Sequence, residues 1–302
     1  MHLKAAALMG PTGTGKSVVA MEAAARTGSS IIACDSMQVY SGLDIGTAKP
    51  SSNDRAEVRH FMLDCAVLPD VYSAARWARE ARQVIEAENA RGEVPLITGG
   101  TGLYLRALLE QLADIPDEDA DVRLRLEQEA ASIGIPAMHA RLAKADAQTA
   151  ARLSPNDTQR ILRALAVFES SGAPLSEWAR KRPAAAKIDC PLFVLSVERP
   201  QLRQRLEARF HAMLAAGWLK EMRWLASLEL PDRHPAMRAV GYRQLLAHER
   251  DECSLDEAVE KGIVATRQYA KRQETWFRHQ AASAVWGDAD ALMPALTRAL
   301  QP

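Results

Sequence analysis

The sequence predicts an α/β fold in which a parallel sheet is flanked by helices and interrupted by an inserted all-helical segment. Three observations predict it. Short apolar runs at residues 4–9, 30–34 and 94–98 end in glycine, aspartate and a glycine pair, and helical patterns occupy 17–26 and 73–90 between them. Strand signals then vanish from 116 to 187. One more apolar run, 191–197, reads as a strand returning to the sheet before the pattern turns helical almost to the end. Strands alternating with helices build parallel sheets whose ligands sit at the carboxyl ends of the strands.

In chain order, run 4–9 passes through a glycine-rich turn into an alanine-rich helical pattern, a strand–loop–helix unit. Run 30–34 places Asp35 at a strand end, and run 94–98 does the same for Thr101. The stretch after Pro116 is rich in Arg, Glu and Ala and is punctuated by Gly134, Pro136, Pro155, Gly172 and Pro183, which reads as successive helices. Residues 1–115 and 190–302 are therefore expected to form one core, with 116–189 as a helical insertion.

The chain has 302 residues, 48% hydrophobic and 25% charged, which suits a sizeable globular core. Its 38 basic and 38 acidic residues cancel, so a nucleic-acid site has to be a local basic surface. Cys34, Cys65, Cys190 and Cys253 are dispersed, without the spacing of a zinc site or a disulfide framework. No stretch is long enough to span a bilayer, and the N-terminal apolar run continues directly into the glycine turn, so a cytoplasmic protein without a membrane partner is expected; a monomer is expected as well.

The sharpest motif is Gly10, Pro11, Thr12, Gly13, Thr14, Gly15, Lys16 and Ser17 in succession, the G-x-x-x-x-G-K-[ST] phosphate loop between a strand and a helix. Glycines let backbone N–H groups turn toward phosphate oxygens, Lys16 neutralises them, and Ser17 is the candidate ligand for Mg2+. The fold expected is thus P-loop NTPase-like. The motif implies a phosphate ligand without making it a nucleotide. Run 94–98 ends in Gly99 and Gly100 where a P-loop ATPase places a magnesium-binding carboxylate. Asp35 and Asp64 are the other carboxylates to consider, Asp35 either as a reacting group or as a helix cap or outer magnesium partner.

Beyond the loop, Asp35, Ser36, Met37, Gln38, Val39 and Tyr40 follow one strand, residues 43–50 read Leu-Asp-Ile-Gly-Thr-Ala-Lys-Pro, and 99–104 read Gly-Gly-Thr-Gly-Leu-Tyr. Taken together and in this order, these segments resemble the tRNA dimethylallyltransferases. Three later segments are similar to that family's tRNA-contacting stretches: 156–163, with Gln159, Arg160, Ile161, Leu162 and Arg163; 238–244, with Arg238, Gly241, Tyr242, Arg243 and Gln244; and 266–278, with Lys271, Arg272 and Arg278. The resemblance covers nearly the whole chain. It implies transfer of a dimethylallyl group from dimethylallyl pyrophosphate to the exocyclic amine of the adenosine on the 3′ side of the anticodon. It also implies that the helical insertion grips the anticodon stem.

That chemistry needs a diphosphate cradle, a base for the amine proton, and a channel for a base turned out of its stack. Lys16 and the loop amides suit the first, Asp35 the second, and Ser36, Met37 and Gln38 the third. Thr101 is expected to bond the diphosphate or position the base, or else to cap the helix after it. Arg123 and Arg163 are placed near tRNA or pyrophosphate. Residues 266–278 carry a net charge of +3 interleaved with Tyr269, Trp276 and Phe277, which suits RNA and equally suits an amphipathic helix that buries its aromatics. Alternatives are an enzyme prenylating free AMP, ADP or ATP, a P-loop small-molecule kinase, and more distantly a regulatory RNA-binding module.

Overall fold

The computed structural model describes residues 2–111, 113, 115–116, 118–181 and 186–302; Pro183 lies outside them. The elements run β1 (Leu3–Lys4), β2 (Ala6–Met9), α1 (Lys16–Thr27), β3 (Ile31–Cys34), α2 (Ser52–Glu57), β4 (His60–Phe61), α3 (Ala74–Ala90), β5 (Leu96–Gly99) and α4 (Gly102–Glu110). There follow α5 (Ala120–Ile133), α6 (Ile135–Ala145), α7 (Ala147–Ala150), α8 (Thr158–Ser171) and α9 (Leu175–Trp178). The chain then forms β6 (Ile188–Asp189), β7 (Leu192–Leu195), α10 (Arg199–Ala215), α11 (Trp218–Ser227), α12 (Tyr242–Glu249), α13 (Leu255–Gln280), β8 (Val285–Gly287) and α14 (Ala289–Ala299).

Six strands make one parallel sheet in the order β4-β3-β5-β2-β7-β8. Strands β2 and β3 are buried at every position, as expected where helices cover both faces. Side-chain alternation then feeds two cores. Ala6 and Leu8 pack with Val19, Ala20, Leu292 and Leu296 from α1 and α14, whereas Ala7 and Met9 join Trp77, Phe210, Trp218 and Phe277 on the other side. Loops leaving β2, β3 and β5 meet at their carboxyl ends, where Gly10 N–H donates to Gly99 O and Thr101 N–H to Cys34 O.

Three details differ from the sequence expectation. The first apolar run is broken into β1 and β2, and β1 pairs with β6 in a separate two-stranded ladder, so Ile188 and Asp189 belong to a strand and not to the helical segment. Strand β4, two residues long, extends the sheet beyond β3. Strand β8, near the chain end, pairs with β7, where a helical pattern was expected.

The chain divides into two compact units, Met1–Leu109 with Ala186–Pro302, and Glu110–Ala185. The second unit is all helical, with Leu126, Met138, Leu142, Ile161, Leu162 and Leu165 as its core. Its helices start on side-chain caps where the sequence offers them: Asp119 accepts from Val122 N–H and Asp157 from Arg160 N–H.

Candidate functional site

The phosphate loop follows the buried strand β2 and turns into α1 at Gly15, whose φ of 93° places it in the left-handed region that favours glycine. Inside the loop the Thr14 hydroxyl donates to Pro11 O at 2.9 Å, holding the turn closed. The loop opens into a cavity of about 670 Å³ whose lining includes Lys16, Ser17, Asp35, Ser36 and Gln38. Its apolar part is made by Phe210, Met213, Trp218 and Val240.

Lys16 is desolvated, which with the nearby Arg209 cation lowers its pKa to about 8, and the negative charge of Asp35 partly offsets this. Burial likewise lowers the pKa of Arg209, again opposed by Asp35. Arg209, which lines the same cavity, forms no ion pair with any described residue. Two partly desolvated cations facing one carboxylate make a site electrostatically incomplete until an anion enters it.

Asp35 leaves β3 with its carboxylate fixed at one oxygen. Its Oδ1 accepts from Met37 N–H at 2.9 Å and Gln38 N–H at 3.3 Å, leaving Oδ2 without a partner among the described residues. Thr101 reaches across from the loop after β5: its Oγ1 accepts from Ser36 N–H at 3.1 Å. The next helix starts on the Thr101 carbonyl, which accepts from Tyr104 N–H, so the hydroxyl is not spent on capping. Gln38 is committed to its own loop, donating from Nε2 to Thr47 O and Ala48 O at 3.1 and 3.2 Å.

The segment 43–50 is anchored from beneath. Glu221 of α11 accepts from the N–H groups of Asp44, Ile45 and Gly46 and from the Tyr242 hydroxyl. Burial, followed by the charge of Glu221, pushes the Tyr242 phenol well above its ordinary range. Lys49 inserts its ammonium between Tyr40 O, Asp44 and Asp64. Asp64, also paired with Arg55, is thereby a structural anchor of this segment.

The residues expected at an RNA surface divide by burial. Lys271, Arg272, Arg238 and Arg243 are exposed. Of these, Arg272 and Arg238 line the cavity, with Arg272 over the Tyr269 ring at 5.7 Å. Arg278 is exposed but held by Glu274 and stacked over Trp286. Tyr242, Gln244 and Gly241 are buried, and Tyr242 also lines the cavity. Tyr242 is buried on Glu221, Gln244 accepts from Gly241 N–H to cap α12, and a Cβ at Gly241 would stand 2.2 Å from the Trp218 ring.

In the second unit, Ile161 and Leu162 are 0% and 2% exposed and belong to the helical core, so their side chains present nothing to RNA. Gln159 and Arg160 are exposed on the same helix, as its amphipathic period requires. Arg123 and Arg163 meet at Glu118, and Arg163 also donates to Pro116 O at 3.1 Å. The aromatics of 266–278 turn inward, Phe277 into the core and Trp276 onto Gly102.

Three site residues escaped the sequence reading: Arg209, Glu221 and Gln273. Gln273 of α13 accepts from Thr12 N–H and donates to Gly100 O, both at 2.9 Å. None of the three lies in a strand-end or loop motif, and each reaches the site only because a C-terminal helix packs beside it.

Residues 38–280 match the family model described as IPP transferase. A tRNA dimethylallyltransferase of Halorhodospira halophila is 46% identical over 276 residues, covering 90% of this chain and 89% of the relative. One from Azorhizobium caulinodans is 43% identical, covering 97% and 95%. Among solved structures, a tRNA isopentenylpyrophosphate transferase from Bacillus halodurans superposes with a TM-score of 0.70 at 32% identity, over 98% of this chain and 94% of that one. A eukaryotic dimethylallyltransferase acting on tRNA gives 0.77 at 26% identity, over 95% and 74%.

Proposed function

We propose how this cavity works from a plain starting point: the chain belongs to the IPP transferase family. It transfers a dimethylallyl group to tRNA, and the donor is dimethylallyl pyrophosphate. The diphosphate lies in the loop formed by Gly10 to Ser17, against Lys16 and Arg209. The adenosine on the 3′ side of the anticodon is turned out of its stack into the cavity mouth beside Asp35.

The amine nitrogen attacks the allylic carbon while the carbon–oxygen bond to the diphosphate breaks. The amine proton passes to Asp35 Oδ2, and pyrophosphate leaves on the two cations and the loop amides. The observation that carries this reading is the half-bound carboxylate of Asp35, oriented by two backbone N–H groups in a cavity that Lys16 also lines. Fixed donors and cations aimed at charge that develops only in the transition state are an efficient source of rate. Thr101 keeps its own proton free to donate to the departing oxygen while its Oγ1 holds Ser36 N–H.

Magnesium fits beside Ser17. That hydroxyl lines the cavity and is taken by no described residue, and magnesium is commonly held by few protein ligands together with phosphate oxygens and water. Among the described residues no group of three acidic, histidine or cysteine side chains forms an all-protein cage. When bound, the ion would neutralise diphosphate charge. No described helix is long and apolar enough to cross a membrane. We read the enzyme as cytoplasmic and monomeric, with the exposed Arg272, Lys271, Arg238 and Arg243 meeting RNA phosphates. The helical unit bearing Arg123, Gln159, Arg160 and Arg163 is assigned to the anticodon stem.

The test is Asp35→Asn, which keeps the shape and the Oδ1 contacts but cannot take a proton. Single-turnover transfer should fall by roughly 10²- to 10⁴-fold, with tRNA affinity nearly unchanged; wild-type transfer by this variant would remove Asp35 as the base.

A further inference from the structure

We propose that Gln273 is a positioning residue that sets the distance between the diphosphate cradle and the base; this rests on the transfer reading above. The two halves of the reaction are carried by different loops, the donor by the loop after β2 and the base by the loop after β3. Among the described residues no hydrogen bond or ion pair joins Asp35 to the phosphate loop directly. Beyond the backbone bonds at the strand ends, both are referenced to α13 through one side chain.

Gln273 is 7% exposed, and both ends of its carboxamide are used. Its oxygen accepts from Thr12 N–H in the phosphate loop, and its nitrogen donates to Gly100 O. Gly100 precedes Thr101, whose Oγ1 accepts from Ser36 N–H, next to Asp35. One turn along α13, Trp276 fills the space beside Gly102, where a Cβ would come within 2.3 Å of the ring. Thr101 is therefore flanked on both sides by contacts to α13. At Gly100 a Cβ would stand 2.2 Å from Gln273 Nε2, so this approach requires glycine.

The result is one continuous chain of contacts: Thr12, Gln273, Gly100, Thr101, Ser36, Asp35. An in-line displacement is sensitive to this spacing, since a misplacement of about 1 Å can cost about 10²-fold in rate. An apolar side chain of the same length would leave Thr12 N–H and Gly100 O without their partner while filling the same volume. The phosphate loop and the Thr101 loop would then be tied only at the strand ends, through Gly10 N–H to Gly99 O and Thr101 N–H to Cys34 O, and the loop beyond Gly10 would lose its reference to Gly100. The same helix presents Arg272 to the cavity, so RNA held by α13 is held in the frame that carries donor and base.

The experiment compares wild type, Gln273→Met and Gln273→Glu in single-turnover transfer of labelled dimethylallyl groups to tRNA, with both substrates varied. Gln273→Met is expected to lose about 10- to 100-fold in kcat, with KM for each substrate within about threefold of wild type, because geometry and not binding is changed. Gln273→Glu retains the acceptor for Thr12 N–H but, when ionised, sets a carboxylate against Gly100 O. Protonated, it donates to Gly100 O as the amide does. Its rate relative to wild type should therefore rise toward unity as pH falls from about 8.5 to about 6, since burial raises a carboxyl pKa. A merely structural glutamine would lower thermal stability without this pH-dependent rescue. Wild-type kcat in the Met variant, a loss confined to KM, or a pH-independent ratio for the Glu variant would overturn the positioning role. Absence of labelling by the wild type would overturn the transfer reading and this role with it.

Discussion

Lys16 shows what the cavity is built to receive. Burial and the Arg209 charge bring its pKa down to about 8, so in the empty site it begins to lose its proton just above neutral pH. Diphosphate binding favours the charged form, so donor binding and proton uptake are linked. Below pH 8 the cation is present and binding is strong; as pH rises through 8 the donor must recruit a proton, and its KM should climb. We expect this rise between pH 7.5 and 9 in initial-rate measurements at saturating tRNA, and its loss in Lys16→Ala, whose donor KM is high throughout. A flat wild-type profile would show that Lys16 is not the cation the diphosphate needs.

At the level of elements, the segment 43–50 is shaped by one carboxylate. Glu221 satisfies three consecutive backbone N–H groups and the Tyr242 hydroxyl, and the close approach of Trp218 is possible because residue 46 is glycine. Glu221→Ala leaves those donors unpaired at roughly 1–3 kcal/mol each. The folded state should therefore be destabilised by at least about 2 kcal/mol in denaturant titration; a change near zero would mean that water replaces the carboxylate. Helix α13 makes a different prediction. Arg272 is exposed, lines the cavity and forms no ion pair among the described residues, so Arg272→Ala should weaken tRNA binding and lower the salt dependence of the affinity by about one unit of slope. An unchanged slope would place this arginine away from phosphate.

The elements also show why some parts of the molecule were legible and others not. Strands β2, β3, β5 and β7 sit under helices and read as continuous apolar runs, and the loop between β2 and α1 carries its own motif. Strand β8 spans three residues at a sheet edge and is largely exposed, so its only warrant is pairing with β7. Asp35 and Lys16 were visible because strand ends and the phosphate loop announce themselves. Arg209, Glu221 and Gln273 are ordinary helix residues in sequence and acquire meaning from what the packed helices set them against: the cavity for Arg209 and Gln273, the backbone of 44–46 for Glu221. For 266–278, where the sequence suited both RNA contact and an amphipathic helix, Phe277 and Trp276 serve the interior while Arg272 and Arg278 stay exposed.

For the whole molecule, a neutral chain needs no overall field to bind RNA when its unpaired cations are gathered at one opening. The parallel sheet brings the loops after β2, β3 and β5 to one end, the C-terminal helices supply Arg209, Gln273 and Arg272, and the cavity they line is where we place the diphosphate and the acceptor. The choice of acceptor is the central claim, and the direct measurement is to supply the purified protein and magnesium with labelled dimethylallyl pyrophosphate. Unmodified tRNA is offered in one reaction and AMP or ATP in another. Label in tRNA alone, with one pyrophosphate released per label, is the predicted result; label in the free nucleotide, or in neither acceptor, would contradict it.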